Sequence, residues 1–193
     1  GFVLYLGEED RFIKNIDNLS PDRLKPATIH FKCLLGGYLI QVQNQIFAYL
    51  EKLTTKKATV ADIVDLTVFL KEKLFISFPG DFDTWHEASK IDFLYSRLNR
   101  PLRICGMVKN QGEPGGGPFF VAHDDQSFSL QIVETAQVDM NSSEQLSILN
   151  NSTHFNPVDI VCGIRDFKGN VFDLNQFIDP KAGFISEKSK DGK

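Results

Sequence analysis

Residues 100–122, RPLRICGMVKNQGEPGGGPFFVA, mark the change in pattern that decides the fold class. Two short runs rich in β-branched or aromatic side chains, 102–108 and 118–122, flank a connection rich in glycine and proline. Residues 128–134 and 158–164 repeat this pattern further along the chain. Short runs of this kind, divided by Gly, Asp and Asn, are typical of strands. The chain after residue 100 is therefore predicted to consist mostly of strands.

Before residue 100 the pattern is mainly helical. Apolar residues at helical spacing predict a helix over residues 28–53, and Gly36-Gly37 in its middle predicts a kink or a break. Residues 59–62 resemble a capping box and predict a second helix that continues to Leu74. A third amphipathic helix is predicted over residues 84–98.

Two further strands are predicted among these helices, over residues 11–16 and 75–78. Strands that alternate with helices early and then dominate predict an α/β domain with a mixed sheet and flanking helices. The connection near residue 100 is too short for two independent domains. We therefore expect one domain over residues 1–193, with a helix-rich part, 1–100, and a strand-rich part, 101–193.

The composition excludes several classes of protein. The 193 residues are 42% hydrophobic and 24% charged, which is typical of a globular chain. The net charge of −4 argues against a dedicated nucleic-acid binder, and the sequence has no apolar run of membrane-spanning length. Three scattered cysteines without a CxxC motif argue against a disulfide scaffold and a thiolate zinc site, and they indicate a reducing, cytoplasmic setting. Because the chain starts without Met and ends on a polar run, we expect a fragment of a larger domain.

Residues 12–18, FIKNIDN, form the first segment that could carry chemistry. Ligands of open α/β sheets gather beyond the carboxyl ends of strands. Asp17 follows a predicted strand, and a carboxylate there could hold Mg²⁺ on a phosphate group. The alternative is that Asp17 and Asn18 are turn residues that bind local backbone donors.

The second segment is residues 106–119, GMVKNQGEPGGGPF, which contains the glycine run at Gly115, Gly116 and Gly117. Consecutive glycines allow a backbone to approach a ligand closely and to aim its N–H groups at an anion, whose charge Lys109 could partly neutralise. The run is not a Walker A loop, because no Gly-Lys-Ser/Thr ends it and a predicted strand follows. The alternative is a flexible hairpin connection.

The third segment is residues 154–159, HFNPVD. Asp159 lies in an apolar run, where a buried carboxylate would need a cation, a metal or several donors. The alternative is a residue at a strand edge that faces water. The four histidines show no zinc-binding spacing, and no GxSxG elbow is present.

Several of these segments resemble those of UDP-glucose and related UDP-sugar pyrophosphorylases. FIKNIDN resembles their NIDN segment, in which the Asp binds the catalytic metal. Residues 128–139, FSLQIVETAQVD, are similar to the strand that carries a VEYSEI-like sequence, and residues 154–156 are similar to the FN segment beside the sugar. The resemblance implies a glycosyltransferase-A-like fold.

Over essentially its whole length, the chain resembles a bacterial family, the domain of unknown function numbered forty-three-oh-one. Its motifs IKNIDN, RPLRxCGMVKNxGEPGGGPF, FNPVDxVCG and GFIxxKSKxG are similar to residues 13–18, 100–119, 155–163 and 183–192.

The two resemblances together imply a nucleotidyltransferase-like site that uses Mg²⁺, a nucleoside triphosphate and a sugar 1-phosphate. Asp17 and Asp159 would hold the metal, and Lys109, Lys188 and Lys190 would face phosphate charge. The implied substrate contacts are Asn15, Asn18, Gly115, Gly116, Gly117, Glu134 and Asn156. The pyrophosphorylases carry a glycine-rich nucleotide loop near the start of their domain, and no such loop precedes Arg11, so we do not expect this chain to be active alone. The alternatives are a non-catalytic nucleotide or phosphosugar binding module and an interaction scaffold without a small-molecule site.

Overall fold

A computed structural model describes residues 2–5, 10–14, 25–55, 57–112 and 115–183. Within these residues the chain forms four α-helices and eight strands, so it has the expected α/β class. The helices are α1 (Lys25–Thr54), α2 (Val60–Lys73), α3 (Glu87–Leu98) and α4 (Ser143–Asn150). The strands are β1 (Phe2–Tyr5), β2 (Asp10–Lys14), β3 (Leu102–Cys105), β4 (Val108–Lys109), β5 (Gly117–Ala122), β6 (Phe128–Val133), β7 (His154–Phe155) and β8 (Asp159–Gly163).

The described strands form three small sheets, and every ladder among them is antiparallel. The largest sheet has the order β1-β2-β8-β3, and the pairs β4-β7 and β5-β6 form two-stranded ribbons. The prediction of one mixed sheet is therefore not met in the described part of the chain. Strand patterns show where strands lie, but their direction depends on pairings between distant segments, such as β2 with β8.

Helix α1 packs against β3 and β8 of the four-stranded sheet. Its Leu39 and Val161 of β8 are both fully buried, and Leu35, Leu102 and Ile104 pack around them. Val161 lies opposite Phe12 on one side and opposite Ile104 on the other. The carboxyl half of α1 packs with α2 and α3 in a second cluster around Leu50, Leu66, Leu70 and Leu94. Helix α1 therefore joins the helical core to the sheet that carries Asp159.

The predicted break at Gly36-Gly37 is wrong, because α1 runs without interruption from Lys25 to Thr54. A glycine inside a helix costs only about 1 kcal/mol relative to alanine. The buried positions Leu39, Val42 and Ile46, which follow the glycines at helical spacing, outweigh that cost by removing apolar surface from water.

Replacement of Gly37 with alanine is expected to stabilise the fold. The residue is exposed, and a Cβ there would meet no atom within 4 Å. The unfolding free energy should rise by about 1 kcal/mol in urea titrations. Gly169→Ala is the matched control: its Cβ would also have open space, but its φ of +84° is unfavourable for alanine. That variant should lose stability, and equal effects of the two changes would contradict the explanation.

Helix α2 begins as predicted, at a capping box. The Thr59 hydroxyl accepts from Asp62 N at 3.2 Å, and Asp62 Oδ2 accepts from Thr59 N at 2.9 Å. Helix α3 begins at Glu87, three residues later than predicted, because residues Phe82–Thr84 form a 3₁₀ turn. The predicted strand over residues 75–78 is absent: Phe75 has a φ of +54°, which breaks the extended conformation. Gly106 and Met107 divide the predicted strand 102–108 into β3 and β4.

The Lys52–Asp62 pair predicts an acid-dependent loss of stability. The hydrogen bond from Lys52, followed by those from Thr59, holds the pKa of Asp62 well below its usual range. A lowered pKa stabilises the fold above the unfolded-state pKa of about 4, and this contribution is lost as the pH falls below it. The stability difference between wild type and Asp62→Asn, measured by urea titration, should therefore be largest above pH 5 and shrink towards pH 2. A difference that stays constant between pH 5 and pH 2 would contradict this explanation.

No helix in the described part of the chain has both the length and the apolar character needed to cross a membrane.

Candidate functional site

The candidate site is a junction of three segments around Asn156. We call it the Asn156 junction and define it by Gly106, Gly116, Asn156, Val158 and Asp159. Gly106 follows β3, Gly116 precedes β5, and the other three residues lie between β7 and the start of β8. The backbone N–H of Gly106 donates to the carbonyl oxygen of Asp159 at 2.8 Å. The sheet β1-β2-β8-β3 and the two ribbons therefore meet beside Asp159.

Asn156 is the centre of this junction. It is buried, and its backbone N–H donates to Gly116 O at 2.8 Å. Its side-chain Nδ2 donates to Gly106 O at 2.6 Å, and its Oδ1 accepts from Val158 N at 3.0 Å. The amide expected to contact substrate is thus bonded to backbone groups on two sides.

Val158 has an unusual backbone conformation, with a φ of +60°. A β-branched residue rarely adopts this left-handed region, because its branched Cβ crowds the backbone. The bond from Val158 N to Asn156 Oδ1 forms a side-chain turn across Pro157 and supports this conformation. Asp159 follows directly and begins β8.

Close packing accounts for two of the three consecutive glycines. A Cβ at Gly116 would lie 2.5 Å from Ile132 Cγ2 and 2.9 Å from Glu134 Oε1. A Cβ at Gly117 would lie 2.8 Å from Phe119 Cε2. Both glycines are buried, whereas Gly115 is exposed. The strand predicted after the run is confirmed as β5.

Glu134 lies beside Gly116, as the distance above shows. It follows the end of β6 and is half-buried, and its backbone N–H donates to Gln137 Oε1 at 2.8 Å. The structure therefore brings together Glu134, the glycine run and Asn156, three of the sequence-predicted features.

Lys109 lies on a different face. In the β4-β7 ribbon it is opposite His154, while Val108 is opposite Phe155. Side chains alternate along a strand, so Lys109 and His154 share one face and Phe155 lies on the other. The Phe155 ring is the one that borders Gly115, where a Cβ would be 3.0 Å from Phe155 Cδ2. Lys109 is exposed on the face opposite that contact.

The remaining predicted site residues, Asn15, Asp17, Asn18, Lys188 and Lys190, lie outside the described residues. Within the described ranges, no three or more His, Cys, Asp or Glu side chains are grouped closely enough to hold a metal ion. Asp159, which is half-buried, is the described carboxylate of the predicted pair.

Burial disfavours the thiolate form of two cysteines, Cys105 and Cys162. Burial raises the pKa of the Cys105 thiol and that of the Cys162 thiol. A thiol with a raised pKa stays protonated at neutral pH and is a poor nucleophile.

Gly106 and Val158 lie within the second and third candidate segments, but neither was among the predicted site residues. Gly106 stands within the quoted glycine-containing segment, but its two bonds come from residues about 50 positions away. The Asn156-Pro157 pair is a turn signal, and it is the one local feature that points to the special conformation of Val158.

The chain belongs to the family described as Domain of unknown function (DUF4301), whose model matches residues 7–193. This match confirms the family identified from the four motifs. No curated protein and no solved structure matches the chain.

Proposed function

For this member of a family whose description names no activity, we propose a Mg²⁺-dependent sugar nucleotidyltransferase of glycosyltransferase-A-like fold, of which this chain is a part. The full-length protein would transfer a nucleotidyl group from a nucleoside triphosphate to a sugar 1-phosphate and release pyrophosphate. A reducing, cytoplasmic setting is part of the proposal and agrees with three free cysteines.

The proposal is carried by the pairing of β2 with β8. Lys14, the last residue of β2, is in register with Asp159, the first residue of β8. Asp17 follows Lys14 by three residues in the sequence, and three residues of chain span at most about 10 Å. We propose that the two predicted metal carboxylates share one ion, which this short stretch of chain would allow. Mg²⁺ commonly takes one or two carboxylates and fills its other positions with phosphate oxygens and water.

The proposed reaction is an in-line displacement at phosphorus. An oxygen of the sugar 1-phosphate attacks the α-phosphorus, the bond to the bridging oxygen of the β-phosphate breaks, and pyrophosphate leaves with the bond electrons. Mg²⁺ would neutralise the phosphate charge, and positioning would supply most of the remaining rate enhancement. Lys188 and Lys190 are proposed to face phosphate groups, and Glu134, Asn15 and Asn18 to face the substrate; Lys109, on the other face of its ribbon, is left out of this proposal.

The test is pyrophosphate release by the full-length protein with a panel of nucleoside triphosphates and sugar 1-phosphates. We expect release that requires one nucleotide, one sugar phosphate and Mg²⁺, and that stops when EDTA removes the metal. Absence of release with every pairing at saturating Mg²⁺ would contradict the proposal.

A second candidate function is a non-catalytic module that binds a nucleotide or a phosphorylated sugar. The packing of Gly116 and Gly117 explains both glycines without a ligand, so the glycine run favours neither candidate over the other. This candidate predicts nucleotide binding in calorimetry with no turnover.

A further inference from the structure

We propose that Asn156 is a positioning residue that holds Val158 in its left-handed conformation and thereby sets the position of the Asp159 carboxylate. The inference rests on the proposed function in one respect, the role of Asp159 as a metal ligand. In this proposal Asn156 does not make the substrate contact that the sequence predicts, but affects Asp159 through the backbone of Val158.

Asn156 and Asp159, at the two ends of one turn, both hydrogen-bond to Gly106. Gly106 O accepts from Asn156 Nδ2, and Gly106 N donates to Asp159 O. Both ends of the turn formed by residues 156–159 are therefore hydrogen-bonded to the backbone of the same residue, Gly106. A Cβ at Gly106 would lie 3.4 Å from Asp159 O and 3.5 Å from Asp159 Cβ, so the two chains approach closely there.

Val158, between the two ends of this turn, has a strained backbone conformation. Val158, with its φ of +60°, is disfavoured by its own side chain and needs outside support. The support within hydrogen-bond distance is Asn156 Oδ1, at 3.0 Å from Val158 N. Strained backbone of this kind is held by its surroundings and is often found where a functional group must be aimed. The group that follows Val158 is Asp159.

The side chain of Asn156 is buried. Asn156 is only 5% exposed, and three of its polar groups are bonded to backbone atoms. Its carboxamide is therefore fixed, unlike a surface side chain that reorients towards an arriving substrate. Residues that hold a metal ligand in place commonly affect metal affinity by about 10- to 100-fold when they are replaced.

A double-mutant cycle tests the hold on Val158 without any activity assay. The four proteins are wild type, Asn156→Ala, Val158→Gly and the double variant, compared by urea unfolding. Glycine adopts a positive φ without support, so Asn156→Ala should matter less when residue 158 is glycine. We expect the fold-reduction of the folding equilibrium constant by Asn156→Ala to be at least about 5 times smaller in Val158→Gly than in wild type. Equal reductions in both backgrounds would overturn the hold.

Mn²⁺ titration of the full-length protein, followed by electron paramagnetic resonance, tests the positioning of Asp159. We expect Asn156→Ala to weaken Mn²⁺ binding about 10- to 100-fold. Asn156→Ser, whose hydroxyl can still accept from Val158 N, should recover part of the affinity. Asn99→Ala is the matched control, because Asn99 Nδ2 donates to Tyr95 Oη at 3.0 Å, outside the Asn156 junction. This control should bind Mn²⁺ like wild type.

The outcomes separate the two proposals. If Asp159→Asn loses Mn²⁺ and Asn156→Ala binds it like wild type, the positioning role is overturned and the proposed function stands. If wild type binds no Mn²⁺, both the metal-dependent function and the positioning of Asp159 as a metal ligand are overturned. The double-mutant cycle then tests only whether Asn156 stabilises the conformation of Val158. If Asn156→Ala does not fold, the double variant with Val158→Gly replaces it, and unchanged Mn²⁺ affinity there overturns the positioning role.

Discussion

Replacement of Asp159 with asparagine should lower the turnover of the full-length protein by about 10²- to 10³-fold, equivalent to roughly 3–4 kcal/mol of transition-state stabilisation. Asparagine keeps the size of the side chain at the start of β8 but removes the negative charge proposed to hold Mg²⁺. Asp17→Ala should have an effect of the same order. The measurement is pyrophosphate release at saturating substrates over a range of Mg²⁺ concentrations.

The control for this prediction is Asp92→Asn, which removes a carboxylate from the exposed surface of α3. It should leave turnover unchanged, and urea titrations should show that all three variants remain folded. Wild-type turnover in Asp159→Asn or in Asp17→Ala would remove that residue from the metal site.

Replacement of Gly116 with alanine should destabilise the fold by about 1–3 kcal/mol, the usual range for overpacking. The added Cβ would lie 2.5 Å from Ile132 Cγ2 and 2.9 Å from Glu134 Oε1, so β6 or the glycine run would have to shift. Because Gly116 O also accepts from Asn156 N, the shift would reach the Asn156 junction. The measurement is the urea midpoint at constant m-value.

The matched comparison for Gly116→Ala is Gly37→Ala, the same chemical change in open space, which should stabilise the protein. If Gly116→Ala unfolds at the wild-type urea concentration, close packing does not explain the glycine there.

The elements that the sequence predicted well are those with local determinants. The capping box at Thr59 and Asp62 starts α2, and the predicted bounds of β5, β6 and β8 differ from the observed ones by no more than one residue at any end. The break allowed for at Gly36-Gly37 is absent, because the continuity of α1 depends on its packing against β3 and β8. Strand β7 is only two residues long, and α4 has a weak pattern, so neither was identified.

The candidate site was predictable as a set of segments but not as an arrangement. The glycine run and residues 154–159 were both identified, and the structure joins them through Asn156 and Gly116. The face occupied by Lys109 depends on strand register, which a one-residue shift would reverse. The bond from Asn156 to Gly106 crosses 50 residues of sequence, and no local pattern encodes it.

The most direct test of the account is a crystal structure of the full-length protein with Mn²⁺, in which anomalous scattering locates the metal. The account predicts one anomalous peak roughly 2.0–2.2 Å from a carboxylate oxygen of Asp17 and from one of Asp159. A peak bound to other residues, or Asp17 and Asp159 on opposite sides of the molecule, would contradict it.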